Sequence, residues 1–203
     1  MSKKARATLG STSTNFQSAV ECQYKLFATV AGLAANVTPS WSSDGQWIYF
    51  ASNRTGTYQI WKIAAGADET GTKPAQVTHQ GGCRPEIAGD GTLFYAKGPP
   101  VPRIWSLTRE GNETPILADF PAGYWGYWCV APGGVYFAIP APEGGARLQF
   151  LDLKTHHVRN LMQLERPPLF SDSGMSLAPD GGAILYTQVD SSGSEIILVE
   201  HSR

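Results

Sequence analysis

Charge is sparse in this 203-residue chain: Asp, Glu, Lys and Arg together make up 16% of it and leave a formal net charge of -1. A balance so close to neutral offers no footprint for a polyanion, so direct nucleic-acid binding by this segment is excluded as a leading function, and acidic substrates are not favoured. Cysteine is scarcer still. Cys22, Cys83 and Cys129 are odd in number and show no C-x-x-C spacing, which argues against a disulfide framework and a structural zinc site alike. No apolar run is long enough for a transmembrane helix, and helical periodicity is missing.

What the chain has in quantity is turn chemistry. Its 22 Gly and 14 Pro punctuate short apolar segments, the pattern of an all-β protein, because both residues damage helix interiors. One phrase recurs four times. The fullest copy runs from Pro39 to Trp61 (PSWSSDGQWIYFASNRTGTYQIW), with weaker copies at Arg84 to Trp105, Gly126 to Phe150 and Gly174 to Val199. The aromatic that closes the second strand falls at Phe50, Tyr95, Phe137 and Tyr186, separated by 45, 42 and 49 residues. The next strand's marker, at Ile60, Ile104, Leu148 and Ile196, repeats at 44, 44 and 48. Such a period belongs to propeller blades of four antiparallel strands. The expected fold is a β-propeller fragment of about four blades, at 37-82, 83-122, 123-168 and 169-203.

Within the first copy, Thr38 to Ser42 reads as an inner strand, Ser43-Asp44-Gly45-Gln46 as a tight turn, Trp47 to Ser52 as the second strand, Tyr58 to Ile63 as the third and Ala75 to Thr78 as a short outer one. Both faces of Trp47 to Ser52 are apolar, as in sheets packed between neighbours. The second copy keeps Asp90-Gly91, the third substitutes Pro132-Gly133-Gly134, and the fourth restores Pro179-Asp180-Gly181, with strands expected near Met175, at Ile184 to Val189 and at Glu195 to Val199.

Residues 1-36 differ in kind: up to Thr38 there is no Asp or Trp, and Glu21 stands alone against Lys3, Lys4, Arg6 and Lys25. Three readings stand open, a cleaved signal with Leu26 to Ala35 as its apolar stretch, a flexible or non-native extension, and a partial strand. Tyr24 to Val30 has the β-branched and aromatic character to complete the fourth blade. The alternative is an open arc whose free edges self-associate, and it is favoured because blades from a larger ring have the wrong wedge angle for closure by four.

No catalytic, cofactor-binding or metal-binding residues are assigned. Gly174-Met175-Ser176-Leu177-Ala178 approaches a nucleophile elbow, but it lies in an inner-strand position with no helix after it, and His201 has no acid partner in a plausible order. His156-His157 reads as a surface turn, and Asp44, Asp90 and Asp180 read as turn formers before glycine. The candidate binding surface is the cluster Tyr124, Trp125, Tyr127 and Trp128, although packing between the second and third blades is the favoured reading of it, since alternation in a β-segment sends only half of the rings to any one surface. Arg84 and Glu86, entering the second inner strand, are expected to line the channel or to pair with each other or with water.

The W-S-x-D-G-x-W-I-Y-F phrase, followed by S-N-R-x-G and I-W, resembles the PD-type, WD-like repeat of TolB-like β-propellers. PAGYWGYW (Pro121 to Trp128) and ILYTQVD (Ile184 to Asp190) are similar to the C-terminal blades of bacterial regulators that join a winged helix to such a propeller. The resemblance covers about Val37 to Arg203. It implies a noncatalytic sensor or module binding a protein, peptide or ligand, the C-terminal part of a longer chain of six or more blades, in the periplasm or cytoplasm of a bacterium. Alternatives are the gating propeller of a prolyl-oligopeptidase-type peptidase, and a truncated structural remnant.

Overall fold

The computed structural model describes residues 34-66, 73-97, 103-118, 120-121, 124, 126-166 and 174-187. Fourteen strands run in chain order: β1 (Asn36–Trp41), β2 (Trp47–Ser52), β3 (Gln59–Ala64), β4 (Ala75–Gln76), β5 (Cys83–Ile87), β6 (Leu93–Lys97), β7 (Arg103–Leu107), β8 (Glu113–Leu117), β9 (Trp128–Ala131), β10 (Gly134–Pro140), β11 (Ala146–Asp152), β12 (Val158–Leu164), β13 (Met175–Leu177) and β14 (Ile184–Tyr186). No α-helix occurs among the described residues.

The strands form meanders, β1-β2-β3-β4, β5-β6-β7-β8 and β9-β10-β11-β12, with β13-β14 as a two-stranded fourth sheet among the described residues. All pairings are antiparallel. The inner strands β1, β5, β9 and β13 lie next to one another in that order, and no sheet closes on itself. This is an all-β propeller fragment. The Glu195 to Val199 strand, the Tyr24 to Val30 segment and the whole question of residues 1-33 lie outside the described residues.

Local chemistry explains the meanders. Gly45 turns at φ 68° while its amide donates to the Ser42 carbonyl, and Asp44 Oδ1 accepts the Gln46 amide at 3.0 Å. Asp90-Gly91 and Asp180-Gly181 repeat the arrangement, with Oδ1 accepting from Thr92 and Gly182 and glycine φ values of 87° and 72°. The aspartate satisfies an amide the turn would leave free, and glycine takes the left-handed conformation at no steric cost. In the third blade Gly133 keeps φ 77° without the aspartate.

Alternation along β2 builds two cores at once. Ile48 and Phe50 join Trp61 and Ile63 on one face, while Ala51 and Tyr49 face the second blade and pack with Ile60, Leu93 and Tyr95. The largest cluster lies between the second, third and fourth blades and includes Phe94, Ile104, Trp128, Val135, Phe137, Leu148 and Met175. The periodic markers Phe50, Tyr95, Phe137, Ile60, Ile104 and Leu148 are all buried. Where two blades meet, each face is dry because the neighbouring blade covers it.

Candidate functional site

Counting back seven residues from the turn glycines at 45, 91, 133 and 181 gives Thr38, Arg84, Gly126 and Gly174, one at the entry of each inner strand. These equivalent positions are bonded to one another around the arc. The Arg84 amide donates to Thr38 Oγ1 at 3.1 Å, the Arg84 guanidinium donates through Nη1 to the Gly126 carbonyl, and the Gly174 amide donates to that same carbonyl at 2.9 Å. Thr38 and Arg84 both sit at φ 50°, each before a proline and each at a break in the register of its strand pair. A β-branched residue in that region is strained, and the cross-blade bonds are what hold it there.

Arg84 is 4% exposed. Its Nη2 donates to the carbonyls of Trp128 (2.7 Å) and Met175 (2.9 Å) and to Glu86 Oε1 (2.9 Å), and its guanidinium lies 5.0 Å from the centre of the Trp128 ring. Glu86 Oε2 accepts the Val130 amide at 2.7 Å. Burial pulls the Arg84 pKa down and pushes that of Glu86 up, each partly offset by the charge of the other. Arginine nonetheless stays cationic at working pH. The pair bridges the second, third and fourth blades, so it holds the arc together as well as lining it.

In front of this pair opens a cleft of about 360 Å³ to which all four inner strands contribute: Thr38 and Ser40 from β1, Glu86 from β5, Val130 from β9, Met175 and Ser176 from β13. Its lining mixes hydroxyls, one carboxylate and apolar groups. Cys129 faces it as well, but burial followed by the Glu86 charge pushes that thiol up to about 12, and burial pushes Cys83 up to about 11. Neither is a nucleophile at neutral pH.

The aromatic cluster went to the core. Tyr124, Tyr127 and Trp128 are 5%, 1% and 0% exposed, and the first two rings pack edge to face at 6.1 Å. As a surface for a partner these three are corrected to packing residues: the Tyr127 amide donates to the Tyr124 carbonyl at 2.7 Å in a turn before β9, and Gly174 has no side chain to obstruct the Tyr127 ring. Trp125 lies outside the described residues. Ser176 sits in β13, an inner strand, and His201 is outside the described residues. His156, at φ 56°, makes the turn between β11 and β12 with Asp152 Oδ1 capping the amides of Lys154 and Thr155. Among the described residues no group of three or more His, Cys, Asp or Glu is placed to hold a metal, and no helix is long and apolar enough to cross a membrane.

This architecture is that of a TolB-like β-propeller. Superposition on TolB from Acinetobacter baumannii gives a TM-score of 0.58 at 15% identity, over 75% of this chain and 38% of that one. A protein assigned as TolB from Agrobacterium tumefaciens gives 0.56 at 18% identity, over 79% and 61%. In sequence, an uncharacterized protein of Agrobacterium fabrum is 27% identical over 100 residues, 45% of this chain, and the chain spans about a third (34%) of that relative's length. No protein-family model matches.

Proposed function

We propose that the chain is a noncatalytic binding module, the C-terminal part of a larger bacterial TolB-like propeller protein, and that it receives an extended segment of a protein partner in the cleft along its inner strands. One observation carries this reading: four strands from four blades converge on one cleft, and the Arg84 and Glu86 groups beside it are engaged in holding the blades rather than poised for chemistry. High thiol pKa values support the noncatalytic part. The PAGYWGYW and ILYTQVD stretches favour a winged-helix regulator as the parent protein.

The test is peptide selection by display against the folded chain, followed by competition with Ser176→Trp. Ser176 is exposed and lines the cleft, so a tryptophan there fills the space without entering the core. Selected peptides should lose binding to the variant. Peptides that bind both proteins equally would place the partner elsewhere and sink this assignment.

A further inference from the structure

A second cleft, of about 460 Å³, opens between the first and second blades and is built differently from its neighbours. Its floor is the incompletely covered part of the core shared by those blades: Val77, Ile87, Leu93 and Leu107, with Tyr49 on the wall. Two cations line it, one from each blade, together with the Asp44 carboxylate. Lys62 lies 4.7 Å from the centre of the Trp47 ring, and Arg109 lies flat against Gly91. A Cβ at Gly91 would collide with the Arg109 guanidinium, whereas the equivalent turn glycines Gly45, Gly133 and Gly181 have nothing within 4 Å of such an atom. The arginine is thus seated by a contact unique to this copy of the turn.

Among the described residues, neither Lys62 nor Arg109 makes an ion pair or a side-chain hydrogen bond. Asp44, Asp90 and Glu110 lie within electrostatic range of Arg109, but Asp44 Oδ1 is occupied by Ser42 Oγ and the Gln46 amide, and Asp90 Oδ1 by the Thr92 amide. A planar guanidinium with free donors matches a carboxylate two bonds at a time. The corresponding cleft between the second and third blades, about 450 Å³, has Asp90 on its rim and no basic side chain, so the cations are not a general feature of the repeat.

We propose that the cleft between the first and second blades docks an acidic peptide segment, a Glu or Asp next to an apolar side chain, with the carboxylate on Arg109 and Lys62 and the apolar group against the open part of the core. The three nearby carboxylates weaken attraction for any free anion, so affinity depends on the apolar neighbour as well.

Acetyl-Leu-Glu-Leu-amide and its Gln counterpart, titrated into the whole chain and followed by tryptophan fluorescence and NMR, test this. The Glu peptide should bind about tenfold tighter than the Gln peptide, and Arg109→Gln or Lys62→Gln should each remove about threefold of that preference. Arg109 is exposed, so its substitution leaves the fold intact, which an unchanged thermal melt verifies. Ser176→Trp in the inner cleft should leave this binding alone. Equal affinity for the two peptides, unaltered binding by Arg109→Gln, or no saturable binding of the Glu peptide at millimolar concentration each overturns the proposal.

Discussion

Arg84 grips Trp128 twice: its guanidinium donates to the Trp128 carbonyl at 2.7 Å and lies 5.0 Å from the centre of the same residue's ring. The first contact holds the β9 backbone and the second its largest buried side chain, so one arginine on the second blade fixes the position of the third. Glu86 returns the link through the Val130 amide.

Arg84→Met should therefore destabilise the chain by about 3 kcal/mol at neutral pH, since it leaves Glu86 charged and without its cation. The loss should shrink in acid, because burial already raises the Glu86 pKa and removing Arg84 raises it further, so the carboxyl protonates more easily in the folded state. Arg84→Met combined with Glu86→Gln should recover part of the loss. Urea unfolding of the four proteins at pH 7 and pH 5 gives the cycle, and additive effects would show that the pair is not coupled.

Gly174→Ala should cost about 2 kcal/mol, because the added Cβ overlaps the Tyr127 ring in a packed core. Gly45→Ala should cost about 1 kcal/mol, for its Cβ meets nothing and only the positive φ is penalised. A reversed order in thermal melts would mean that turn conformation, not inter-blade packing, limits stability.

Asp44 is held below the usual carboxylate range by the Ser42 hydroxyl and then the Gln46 amide, and Asp90 chiefly by the Thr92 amide. A depressed folded pKa stabilises the fold above the unfolded value of 3.8 and loses that contribution as pH falls through the lower, folded value. Stability should thus decline below about pH 4, and less steeply in Asp90→Asn. Identical slopes from acid titration of the melting temperature would remove Asp90 as a source.

Cys83 and Cys129 should resist iodoacetamide at pH 8 in the native state and react fully in urea, given pKa values of about 11 and 12. Peptide mapping by mass spectrometry reads each site separately. Rapid native labelling of Cys129 would contradict its burial.

Much of the fold was legible because it is written in local, periodic chemistry. The Asp-Gly turns and the recurring aromatic and aliphatic markers repeat near the length of one blade, and β2 falls where the repeat placed it, at Trp47–Ser52. The site was harder to read. Tyr124, Tyr127 and Trp128 have the composition of a contact surface, and nothing local distinguishes a ring that faces solvent from one that faces the next blade. A signal for Arg84 was present, since it stands seven residues before a turn glycine like Thr38, Gly126 and Gly174, but its partners are distant carbonyls that carry no side-chain signature.

By itself the sequence determined the repeat, its four-stranded period, its turns and the two-faced apolar strands, because each depends on residues within one blade. Only the tertiary structure decided that Arg84 would be buried across three blades, that Tyr124, Tyr127 and Trp128 would be core, and that Arg109 would lie against Gly91 in a cleft between two blades. Those outcomes depend on groups dozens of residues apart brought together by stacking, and stacking is set by the summed burial of whole sheet faces rather than by any short stretch of chain.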